Sequence, residues 1–267
     1  MTGHVRVTLR ELSGNGPRMT IMRTISLLLA GCSLLLASDS KEFKKTVPMD
    51  ATGRFTLDTY KGSIHITAWD QPQVDIQARI VEDPGWHSMP VEEVDIRVDA
   101  SSSSVRVKSD YRRHWSWFED GTMPNVYYTI RVPRGASLTI EDYKSEADIA
   151  GVQGDVEFHT YKGTARLSGL ERGLNLKTYK GDIRATFAKF SSHTHIDTYK
   201  GTIDLSIPRS SAFEINAKFE RRVDFDCDFP RSIRTSRRES EFRSTVNGGG
   251  PELRLTSYRG SIRVRAV

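Results

Sequence analysis

Only two cysteines occur in the 267 residues, Cys32 and Cys227, so a disulfide framework cannot be what holds this chain together. Long apolar runs are scarce as well. The one that stands out, Ile25 to Ala37, has 13 residues, too few to cross a bilayer comfortably. A strong excess of one charge is also missing. The formal net charge is +5, but residues 1 to 37 hold Arg6, Arg10, Arg18 and Arg23 against Glu11, and removing them leaves +2. That excludes the electrostatic case for a nucleic-acid partner. Short catalytic signatures are absent too: there is no Gly-x-Ser-x-Gly, no His-Glu-x-x-His, no Walker loop and no Cys-x-x-Cys. Nothing in the sequence asks for a metal or a cofactor, and the chain reads as a non-enzyme.

The N-terminus reads as a targeting segment. From Met22, Arg23 forms a short positive region ahead of the apolar run, predicting a signal peptide over 22–38 and export. Residues 1–21 then read as an upstream extension, since Met19 and Met22 both make better starts. Two processing routes stay open. Leu29-Ala30-Gly31-Cys32 matches a bacterial lipobox and would make Cys32 a lipidated N-terminus, whereas the renewed hydrophobicity at Leu34 to Ala37 suits a cut near Ala37 or Ser38. Either way Cys227 is left as the one free thiol. It shares a period-2 face with Val223, Phe225 and Phe229, which predicts a buried filler in a strand.

Short alternating Leu, Ile and Val stretches separated by Gly, Asp, Ser and Thr predict an all-β fold. A repeat organises it. Tyr-Lys-Gly or a close variant occurs at 60–62, 143–145, 161–163, 179–181, 199–201 and 258–260, and the tyrosines at 143, 161, 179 and 199 are 18, 18 and 20 residues apart. From Tyr199 to Tyr258 the step is 59, about three periods, with Ala212 to Phe229 reading as a degenerate coil. Within a unit, Leu174, Leu176 and Thr178 share one face before the turn and Ile183 and Ala185 continue it after. Lys177, Tyr179, Asp182 and Arg184 point the other way. The glycine after Lys admits φ > 0 at a corner, and Gly151, Gly154, Gly169 and Gly173 mark the opposite corners.

A hairpin meander and a β-solenoid both fit two strands and two turns per period. They differ in the spacing of equivalent tyrosines, about 4.8 Å in a solenoid and about 10 Å in a meander. Lys-Gly is a weaker hairpin turn than Asn-Gly, which favours the solenoid, with coils of 18–20 residues. Residues 39–54 read as a linker and first strand, and 55–267 as the solenoid domain. Within it, 84–133 reads as inserted or capping strands near the N-terminal end and 231–250 as a polar loop.

From Phe55 to Val267 the chain resembles the bacterial putative-adhesin family, or toastrack domains. Thr178-Tyr179-Lys180-Gly181-Asp182-Ile183 stands where that family has Thr-x-Ser/Asn-Gly-Asp-Ile/Val, and Asn247 to Gly250 followed by Leu253 to Val264 looks like its last coil. The resemblance implies an exported or surface-anchored β-solenoid, in some members linked to envelope stress. Tyr-Lys in place of variable small residues departs from the family pattern.

The candidate binding strip is therefore Tyr60, Lys61, Tyr161, Lys162, Tyr179, Lys180, Tyr199 and Lys200, able to meet sugars by ring stacking or anionic polymers by charge, or else simply a set of rings supporting one another. Trp115 and Trp117 form a candidate aromatic platform. His193 and His195 share a face in a strand, but no third metal ligand lies near, and His159 is displaced along the strand relative to both. Arg231 to Arg243 is a basic stretch with the look of a solvated loop. The expected function is an exported cell-envelope binding or scaffolding protein that meets envelope polysaccharide or a membrane or surface protein. It would touch the membrane only through a lipid anchor at Cys32. One alternative is an envelope-stress signalling component with a membrane-protein partner. Another is a glycan-active β-helix enzyme using outward carboxylates such as Asp197, Asp204 and Glu157.

Overall fold

The computed structural model describes residues 40–84, 88–111, 122–220, 223–229, 232–235 and 239–267. The signal segment, Cys32, Trp115, Trp117, Arg231, Arg237 and Arg238 lie outside them. The strands are β1 (Ser40–Pro48), β2 (Arg54–Asp58), β3 (Lys61–Trp69), β4 (Gln73–Val81), β5 (Val94–Ala100), β6 (Ser104–Tyr111), β7 (Asn125–Pro133) and β8 (Ser137–Ala150). They continue with β9 (Val156–Leu170), β10 (Leu174–Phe187), β11 (Thr194–Ile207), β12 (Phe213–Glu220), β13 (Val223–Cys227), β14 (Ser232–Thr235), β15 (Glu239–Val246) and β16 (Glu252–Ala266). The one helical piece among the described residues is a 3-10 turn at Val91–Glu93.

Each repeat is one long strand with a bend in it. In β10 the last inward residue before Tyr-Lys-Gly is Thr178 and the first after it is Ile183, both buried, while Tyr179 and Lys180 are exposed one after the other. Five positions is an odd step, so the period-2 phase reverses, and a flat strand cannot place both residues inside. The chain therefore turns a corner there without leaving the hydrogen-bond ladder, giving two limbs per coil. The expectation of a turn separating two strands at Lys-Gly is corrected: the strand runs through it, and the true turns are at the opposite corner, where Gly151 and Gly169 have φ of 73° and 69°.

β8, β9, β10, β11 and β16 stack in parallel and in register. Equivalent apolar residues fall into columns: Ile140, Phe158, Leu176, Ile196 and Leu255 on one limb, and Ala147, Ala165, Ile183, Ile203 and Ile262 on the other. All ten are buried. This is a β-solenoid, and its stability comes from continuous burial of these columns, each methylene contributing about 0.8 kcal/mol.

Spatial order departs from chain order at both ends. β3 lies directly against β8, and β16 inserts between β11 and the pair β12 and β13. Counting periods would put Tyr258 three coils from Tyr199, whereas it occupies the very next coil. Around the first coil, β6 pairs in parallel with β2 and β7 with β3. Antiparallel β5 then lies on β6, β4 on β7, and β1 on β4. At the far end β15 runs antiparallel to β12, and β14 to β15. The reading of 231–250 as a loop is corrected accordingly: Phe242 and Val246 are buried at even spacing in β15, an alternation that the surrounding arginines and serines masked. Cys227 is buried in β13.

Candidate functional site

Register places one tyrosine per coil at the same outer edge of the corner. The ring centroids of Tyr60, Tyr143, Tyr161, Tyr179 and Tyr199 follow at 4.7, 5.1, 4.9 and 5.0 Å with planes within 11° of parallel, and Tyr258 continues the row at 5.6 Å, tilted by 32°. The spacing is that of neighbouring strands, as a solenoid requires. Tyr111 meets Tyr60 edge-on at 6.1 Å and closes one end. Burial and the neighbouring Tyr143 raise the Tyr60 phenol above its ordinary value.

Tyr143, Tyr161, Tyr179, Tyr199 and Tyr258 keep 38–47% of their surface exposed. What they expose is limited by the stacking. The faces of the interior rings are covered by their neighbours, so the ladder offers ring edges and phenol hydroxyls, and a sugar ring has no interior face to lie on. Two residues of the row, Tyr143 and Tyr258, were not part of the strip read from the sequence, nor were Lys144 and Arg259 beside them. Their signal was present but altered, with Ser145 in place of Gly in one unit and Arg259 in place of Lys in the other.

Beside the rings runs a column of cations, Lys144, Lys162, Lys180, Lys200 and Arg259, paired residue for residue across the coils. The Lys162 ammonium lies 5.3 Å from the Tyr161 ring centroid. Lys61 holds the equivalent place on the first coil but differs from the rest, since Asp83 pairs with it at 2.5 Å and its side chain is only 15% exposed. Next to the tyrosines is a shallow depression of about 420 Å³, lined by Asp142, His159, Lys177 and Asp197 among others.

Beneath the corner lies a row of small hydroxyl residues: Thr59, Thr178, Thr198 and Ser257 are buried. Asp142 takes the place of Thr in the second unit and is half-buried. Its carboxylate accepts hydrogen bonds from the Ser145 N–H (2.9 Å), the Ser145 hydroxyl (2.6 Å) and the Thr160 hydroxyl (2.8 Å). Burial outweighs these bonds and raises the Asp142 pKa. A carboxyl whose pKa is higher folded than unfolded binds more protons when folded. Its contribution to stability therefore declines as pH rises from about 4, the unfolded value, through the raised pKa. Asp142→Asn, which keeps an acceptor and adds a donor for the Ser145 hydroxyl, is expected to flatten that decline and to be more stable than the parent at pH 7. Urea unfolding midpoints from pH 4 to 8 check this; an unchanged slope would rule it out.

The other candidates are scattered. His195 lies in β11 with its pKa lowered by burial, and His193, just before that strand, accepts a hydrogen bond at Nδ1 from the Glu252 N–H at 3.1 Å. His159 is in register with Lys177 and Asp197, not with either histidine, and its Nδ1 lies 3.0 Å from Glu141. Among the described residues no three His, Cys, Asp or Glu side chains gather as a metal site would need. Glu157 and Asp197 lie on the limb before the corner, whereas Asp204 lies on the limb after it and faces Arg184 at 3.6 Å. These three carboxylates do not converge on one groove.

A family model described as Toastrack DUF4097 matches residues 31–264. No curated protein is significantly similar to the chain. Among solved structures, a putative cell adhesion protein from Clostridium sporogenes is 11% identical, with 85% of this chain and 100% of that one covered at a TM-score of 0.49. A putative adhesin from Bacteroides fragilis is 13% identical, with 85% and 97% covered at a TM-score of 0.31.

Proposed function

The chain belongs to the Toastrack DUF4097 family, and from that premise we propose that it is an exported binding or scaffolding protein of the cell envelope, adhesin-like and without catalytic activity. Its contact surface is the tyrosine ladder with the adjoining cations. The carrying observation is that six tyrosines, drawn from segments as distant in sequence as 60 and 258, are assembled into one uninterrupted outward row. Ring-on-ring packing explains part of this arrangement, but core burial already holds the coils together, and an exposed phenol edge on five successive coils is more than the core requires. Export rests on Arg23 and the apolar run that follows it. No helix among the described residues is long and apolar enough to cross a membrane.

Retention on purified envelope polysaccharide tests the reading. The variant with Tyr161, Tyr179 and Tyr199 all changed to Ser is expected to elute several-fold earlier than the parent. Equal retention by a variant whose circular dichroism shows the β fold intact would remove the ladder as the contact surface.

A further inference from the structure

The sign pattern of the corner column differs from that of the outward rows on either side. Before the corner, the row Lys108, Asp58, Glu141, His159, Lys177 and Asp197 mixes signs, with Lys108 paired to Asp58 at 3.2 Å. After it comes a row with two acids, Glu146 and Asp182, among small hydroxyl residues, and beyond that His65, Asp148, Arg166, Arg184, Asp204 and Arg263 again mix signs. Between them Lys144, Lys162, Lys180, Lys200 and Arg259 are five cations in direct register, and among the described residues none of the five forms an ion pair. Like charges directly opposite on neighbouring strands are destabilising. The first coil shows what neutralisation looks like, because there Asp83 reaches over from the chain after β4 and pairs with Lys61. The other five are left without it.

Apart from Glu146 and Asp182, exposed two residues beyond Lys144 and Lys180, the groups at the corner itself favour an anion. The ammonium and guanidinium groups only donate, the phenol hydroxyls can donate, and the exposed ring edges carry the positive end of the aromatic quadrupole. Single-stranded nucleic acid fits poorly, because its bases need open ring faces and the stacked rings cover one another's. The cations recur once per strand spacing, about 4.8 Å, the scale of one sugar ring along a chain. Four of the five are Lys, a point charge, where closely fitted phosphate sites favour the planar fork of Arg. We infer that the occupant is a linear acidic polysaccharide with one carboxylate per sugar. It lies along the stack of coils with its carboxylates on the cation column and its hydroxyls against the phenol edge. This rests on the tyrosine ladder being the contact surface.

The test is surface plasmon resonance of the purified protein on immobilised polygalacturonate, on the same polymer fully methyl-esterified, and on inorganic polyphosphate. Binding is expected on polygalacturonate, weakening as salt is raised, and lost on the ester. Changing Lys162, Lys180 and Lys200 together to Gln is expected to lower affinity on the order of tenfold to a hundredfold. The melting temperature of that variant should be unchanged or raised, because three like charges are removed, so lost binding would not be lost fold. Equal binding to the ester, or undiminished binding by the folded Gln variant, overturns the inference. Tighter binding to polyphosphate overturns it in favour of a phosphate polymer. If polygalacturonate is not bound while the Tyr-to-Ser variant still loses envelope retention, this inference falls alone; unchanged retention by the Ser variant brings down the reading beneath it.

Discussion

Gly201→Ala is expected to lower the unfolding free energy by about 4 kcal/mol, combining backbone strain with overpacking. Gly201 sits at the corner of β11 with φ of 152°, a conformation that a residue with a Cβ adopts at a cost. Closeness adds to it. A Cβ built there would overlap the carbonyl oxygen of Gly181 on the preceding coil and lie 2.7 Å from its carbonyl carbon. Both atoms are backbone within a ladder paired on both sides, so neither can move without opening the stack. Gly248 separates the two causes, since its φ is 90° but a Cβ there meets nothing within 4 Å. Gly248→Ala should lose only the strain, about 1 kcal/mol. Equilibrium urea unfolding of both variants measures the difference, and equal losses would show that coil-to-coil contact at the corner contributes nothing.

The second large effect is expected from the ladder itself. Changing Tyr161, Tyr179 and Tyr199 to Ser removes four ring contacts, from Tyr143 through to Tyr258. Aromatic pairs contribute roughly 0.5–1.5 kcal/mol each beyond their buried area, so the triple variant should be about 4 kcal/mol less stable. The same three positions changed to Phe keep the rings and lose only the hydroxyls, and stability should stay within about 1 kcal/mol of the parent. Thermal and urea unfolding of the pair show how much of the ladder is structural. A Ser variant as stable as the parent would mean the rings do not support one another. A stable Phe variant with weakened polysaccharide retention would assign the phenol hydroxyls to binding.

Much of this architecture was legible in the residues. The 18- to 20-residue period, the inward Leu174, Leu176 and Ile183, and glycine at the corner are all properties of short contiguous stretches, and parallel stacking merely multiplies them. The odd step from Thr178 to Ile183 even encodes the bend, although it reads at first as a turn between two strands. The hairpin of β14 and β15 was harder, because Ile233, Phe242 and Val246 are the only strongly apolar members of a polar, charged stretch. The strip was half legible: all six Tyr units could be counted, but the strip drawn from them left out Tyr143 and Tyr258, whose units carry Ser145 and Arg259.

By itself the sequence determined the local terms: which residues alternate, where the phase reverses, and how many residues make one coil. Those follow from bond geometry and side-chain character within a few neighbours. Only the tertiary structure decided which coil lies against which. A parallel ladder is satisfied by any edge of matching length, so chain order does not dictate stacking order, and β16 can enter beside β11 while β3 meets β8. From that order come the features that define the site. Six rings turn their faces to one another and their edges outward, Lys61 is claimed by Asp83, and five other cations stand in line, none of them in an ion pair among the described residues.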